Sequence, residues 1–65
     1  MYTFKITFQL YGGGRKCYTV KATNRKEAID KARNKARRYN LDATGQISVY
    51  RVGQVVEPYT CSITI

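Results

Sequence analysis

The sequence predicts an α+β domain: one four-stranded sheet with a single helix across one face, in the chain order β-β-α-β-β. Three observations predict it. Apolar and polar residues alternate strictly from Tyr2 to Leu10, the period of a half-buried strand. A Gly12-Gly13-Gly14 break separates this run from a second alternating one. From Arg25 to about Asn40 there is no Gly or Pro, and the apolar residues recur at helical spacing.

In the first strand, Tyr2, Phe4, Ile6, Phe8 and Leu10 share one parity, and Thr3, Lys5, Thr7 and Gln9 the other. The glycine run supplies backbone freedom for a hairpin turn. Arg15 to Ala22 resumes the alternation, with Tyr18, Val20 and Ala22 opposed to Cys17, Thr19 and Lys21. Asn24 and Glu27 have the spacing of a capping box at the start of the helix. Ala28, Ile29, Ala32, Ala36 and Tyr39 form a stripe about 100° wide, whose alanines allow a close approach to the sheet. Leu41 and a turn at Asp42-Ala43-Thr44-Gly45 end the helical segment. A third strand is expected over Gln46–Val52, with Ile47 and Val49 on the core side, then a Gly53-Gln54 turn. The last strand, Tyr59–Ile65, alternates again. Pairing Val52 with Val55 would set Val49 against Pro58, out of phase, so one extra residue is expected near Glu57-Pro58.

The favoured strand order is 2-1-4-3, with the terminal strands parallel at the centre because they alternate longest. An all-antiparallel 2-1-3-4 order is the alternative. This layout and length resemble the compact β-grasp domains. The resemblance lies in element order and carries no motif, so it implies no ligand and no site residue. The junction Val20–Ala28 looks like those of small phage and mobile-element proteins, which implies an origin of that kind.

Sixty-five residues make one compact domain, 1–65, in which nearly every apolar residue is needed for the core. There is no His, and the acids Glu27, Asp30, Asp42 and Glu57 include no pair placed for acid–base work. Cys17 and Cys61 lack a His to activate them, lie on opposite sheet faces by parity, and are too few for a metal site. The expectation is a protein that is not an enzyme, with no cofactor and no metal. No long apolar run or leader pattern is visible, so no membrane partner is expected and the cytoplasm is the default.

Twelve Lys and Arg against four Asp and Glu give a net charge of +8, which attracts anionic partners. Seven of these cations fall in the helix. Projected at about 100° per residue, Lys26, Arg33 and Arg37 border one side of the apolar stripe, and Lys31, Lys35 and Arg38 the other. Arg25 and Lys26 sit in the first turn, against the helix dipole, at a cost of about 0.3–1 kcal/mol each. Arg15, Lys16 and Lys21 on the second strand extend the patch. These ten residues are the candidate contacts to nucleic-acid phosphates. The sheet face away from the helix is a second candidate surface, carrying Lys5, Tyr11, Thr19 and Tyr50 among many threonines. It suits protein–protein contact with an inhibitor or adaptor role, or a homodimer, as do the edge strands. The expected partners are therefore nucleic acid or an acidic protein surface, with a homodimer as a further expectation.

Overall fold

The computed structural model describes residues 1–65 as β1 (Tyr2–Leu10), β2 (Arg15–Ala22), α1 (Arg25–Arg38), β3 (Ala43–Arg51) and β4 (Tyr59–Ser62). The sheet order is β2-β1-β3-β4 and every pair is antiparallel. This is the alternative order; the favoured 2-1-4-3 arrangement, with parallel terminal strands and the β-grasp topology, is not formed.

The reason lies in strand length and burial. β3 begins at Ala43, three residues before the expected start, and reaches nine residues, as long as β1. It buries Ile47 and Val49 almost completely, whereas β4 has four residues and no buried one. The strand with the longer ladder and the more deeply buried side chains takes the centre. β4, preceded by Pro58, lies at the edge, where a residue without an N–H is tolerated.

Thr44 and Gly45, read as part of a turn, instead form a bulge inside β3. The β1–β3 register slips between Phe8↔Ile47 and Leu10↔Ala43, leaving extra residues on β3. Gly45 absorbs the distortion with φ of +98°. Its carbonyl accepts the Ile63 N–H at 2.8 Å, and a Cβ at this position would run into the Ile63 carbonyl oxygen. No residue but Gly fits both conditions. The phase argument for the last hairpin holds: Val49 lies opposite Tyr59, one residue beyond Pro58, and the connection widens over residues 52–58.

Asn24 caps α1, its Oδ1 accepting the Glu27 N–H at 2.8 Å. The return arm of the capping box goes elsewhere: Glu27 Oε2 accepts from the Thr23 hydroxyl at 2.8 Å. At the other end Asn40 adopts φ of +51°, and the N–H groups of Asn40 and Leu41 reach back to the Arg37 and Ala36 carbonyls. This is a Schellman closure, which ends the helix at Arg38 and folds Leu41 onto the core.

Ala28, Ala32 and Ala36 have no exposed surface. They let α1 lie close on β2 and β1, with a lighter contact to β3. The core is Phe4, Ile6, Phe8, Tyr18, Val20, Ala22, Ile47 and Val49 beneath these alanines. Ile29, Cys61, Ile63 and Ile65 pack at its margin and remain partly exposed. Tyr39, placed in the core stripe by periodicity, is 63% exposed. It is the helix C-cap, and its ring stacks on Tyr18 at 6.3 Å. No side chain of the far sheet face is buried, so that face stays open. No helix is long and apolar enough to cross a membrane.

Candidate nucleic-acid interface

The position of α1 makes its two basic borders unequal. Because the helix sits over β2 and β1, the border bearing Lys31, Lys35 and Arg38 lies beside the outer strand β2. Lys31 joins the two elements: its Nζ donates to the Lys21 carbonyl at 2.6 Å and pairs with Glu27 at 3.3 Å. Between strand and helix runs a shallow, open groove of about 450 Å³, lined by Lys21, Lys31, Lys35 and Arg38 with Thr19 and Asn34. Lys16 and Lys35 approach the same ring, that of Tyr18, at 5.8 and 6.0 Å. Five cations thus gather along one border, with Glu27 at its far end as the acid partner of Lys31.

Glu27 titrates below its ordinary value of 4.5. The Thr23 hydroxyl is the main cause, followed by the hydrogen bond and charge of Lys31. Ion pairing therefore engages Lys31, while Lys35 and Arg38 have no carboxylate within ion-pair distance. Their position in the last turn is favoured by the helix dipole. An arriving anion meets their charge without first displacing a carboxylate.

The opposite border is mixed in charge. Arg33 is paired with Asp30 at 3.7 Å, and its Nε is enclosed without a partner. Lys26 shares a shallow depression with Asp30, Ile29 and Tyr59. Arg37 lies near Asp42 and Ile65. Arg25, which opposes the dipole, lies with its guanidinium carbon 3.7 Å from the centre of the Tyr59 ring. That contact offsets part of the cost of a cation in the first turn, so the position has a structural explanation. Arg51, which the sequence did not single out, sits in the same way 4.2 Å from the Tyr2 ring. Of the ten candidate phosphate contacts, the structure brings together Lys16, Lys21, Lys31, Lys35 and Arg38. It separates Arg25, Lys26, Arg33 and Arg37 from them, and sends Arg15 to the open sheet face beside Gln9.

On that open face Lys5 lies between Thr19 and Tyr50. Tyr50 is half-buried and its hydroxyl donates to the Gln54 carbonyl at 3.2 Å. Tyr11 is in the turn beyond β1, roughly 20 Å along the strand from the Lys5–Tyr50 row. The two tyrosines do not form a stacking platform. Cys17 is exposed on this face, and Cys61 faces the helix side at the core margin; both are free thiols.

Asn34 in the groove, and the Tyr18–Tyr39 stack near Lys35, are features that sequence reasoning missed. Asn34 projects to the outermost helix strip when the helix is drawn alone, and its nearness to β2 depends on how α1 lies across the sheet. Comparison with protein-family models, with curated proteins and with solved structures finds no match to this chain. The class of protein is therefore defined by its architecture alone: a small antiparallel sheet–helix domain with one basic edge groove.

Proposed function

We propose that this protein is a small, non-enzymatic nucleic-acid-binding protein that holds phosphates in the groove between β2 and α1. One observation carries the reading: Lys16, Lys21, Lys31, Lys35 and Arg38 converge on a single edge, with Lys35 and Arg38 free of acidic partners. Lysine ammonium groups act as point charges on a phosphate backbone, and a guanidinium engages two oxygens at once. Such contacts position a strand without reading its sequence. Release of counterions from the nucleic acid supplies much of the affinity. The Asn34 amide, on a residue that lines the same groove, adds a neutral donor. Two free thiols on opposite sheet faces suit a reducing compartment such as the cytoplasm.

Fluorescence anisotropy with random-sequence duplex and single strands, at about 50 mM salt, tests the reading. The expected result is binding that weakens steeply and log-linearly with salt. Absence of binding at that ionic strength overturns it. Equal binding to polyglutamate of matched charge transfers the groove to an acidic protein surface.

A further inference from the structure

The two edges of the sheet are built differently. Strand N–H and C=O groups point alternately to either side. In β2 the Leu10 N–H donates to the Gly14 carbonyl, so the even-numbered residues face β1, and Arg15, Cys17, Thr19 and Lys21 direct their backbone outward. That edge is guarded: it carries Arg15 and Lys21, and the outward Lys21 carbonyl is already taken by Lys31 Nζ. Charged residues at an edge discourage the addition of another strand.

The β4 edge carries no charged side chain of its own, although Arg25 of α1 stacks on the Tyr59 ring on the helix side. Ile63 N–H donates inward to Gly45, so Thr60, Ser62 and Thr64 direct their backbone N–H and C=O outward. From Tyr59 to Ile65 the chain contains no charged side chain and no Pro or Gly, in a molecule that is one-quarter charged. The run alternates β-branched, aromatic and small residues, a strongly strand-forming pattern. On the helix side, Cys61, Ile63 and Ile65 are only half-covered, because α1 lies over the other half of the sheet.

We infer that the β4 edge pairs with the β4 edge of a second copy of this chain, forming a continuous eight-stranded antiparallel sheet. A two-fold axis at Ser62 makes the register self-complementary. It sets Ser62 against its own mate and Thr60 against Thr64 of the partner, so all three outward-facing residues find ladder partners. Cys61 then lies opposite the mate's Ile63, and Tyr59 opposite its Ile65. The half-covered apolar strips of both copies become cross-strand pairs on one face. A second copy fits because the register is self-complementary, and the placement of charge limits the repulsion between two chains of +8. The basic border lies at β2, the strand farthest from β4, and the β4 run adds no charged side chain. In the dimer the two grooves stand at opposite ends of the sheet, about 34 Å apart at seven strand spacings.

The test is mass in solution, measured without nucleic acid by sedimentation equilibrium at about 100 μM protein. The wild type is expected at twice 7.5 kDa. Ser62→Lys, which sets two like charges at the axis, is expected at 7.5 kDa, while Thr19→Lys on the β2 edge stays dimeric. In a Cys17→Ser background, Ile63→Cys is expected to cross-link under mild oxidation through Cys61 of the partner. A monomeric wild type overturns the inference. So does a dimer that survives Ser62→Lys, or one that Thr19→Lys dissolves. Phosphate binding is read separately: Ser62→Lys leaves the groove intact, so loss of the dimer with retained binding keeps the two conclusions distinguishable.

Discussion

Replacing Gly45 with Ala attacks the bulge that gives β3 its length. Two costs combine. Gly45 has φ of +98°, where an L side chain costs about 1–2 kcal/mol. The added Cβ also meets the Ile63 carbonyl oxygen. The β4 strand must then move, and the hydrogen bond from Ile63 N–H to Gly45 O weakens, a loss of about 0.5–1.5 kcal/mol. The total is about 1.5–3.5 kcal/mol, a large share of the roughly 3–10 kcal/mol available to a domain of this size. Gly53 provides the control, with φ of +93° and open space around it. Gly53→Ala should cost only the backbone part, about 1–2 kcal/mol. Urea unfolding followed by circular dichroism measures both variants. At about 4–8 °C per kcal/mol, the Gly45 variant should also melt at least about 6 °C below the wild type. If the two variants lie within about 0.5 kcal/mol of each other, the bulge carries no steric constraint and the account of β3 fails.

The groove predicts a salt dependence. If Lys16, Lys21, Lys31, Lys35 and Arg38 all engage phosphates of duplex, the log–log slope is about −4.5, and combined Gln substitutions at Lys21, Lys35 and Arg38 reduce it to about −1.8. An unchanged slope in an anisotropy titration removes these residues from the interface. Glu27 titrates below 4.5 when folded, so its contribution is present above that value and lost as pH falls through the lowered one. The stability difference between wild type and Glu27→Gln should therefore be present at neutral pH and close in acid, as read from urea midpoints along a pH series; a difference constant with pH refutes the assignment. Ala32→Leu inserts a large side chain where α1 meets the sheet and should destabilise by about 1–3 kcal/mol through overpacking. Thermal melting at unaltered or raised stability would show that the helix does not lie close.

The elements themselves were legible in the chain. Strict alternation marked Phe4, Ile6 and Phe8 as core, and the same parity argument placed Cys17 and Cys61 on opposite faces. The Val49–Tyr59 register followed from the need to keep two apolar sets in phase. Each of these is a local or nearest-neighbour matter, decided by a period of two or 3.6 and by which side chains avoid water.

Strand order was decided elsewhere. β1 and β4 alternate as regularly as partners would, but regularity does not say which strand lies beside which. That choice depended on the Gly45 bulge, which lengthened β3, and on the depth at which Ile47 and Val49 are buried. The candidate site followed the same division. Composition already implied an anionic partner, and helical periodicity identified two cationic borders. Only the lateral position of α1, pressed onto β2 by three alanines, made one border an open groove and left the other mixed with acids. Charge and periodicity are properties of residues near one another in the chain, whereas the groove is formed by residues ten or more positions apart, which packing alone brings together.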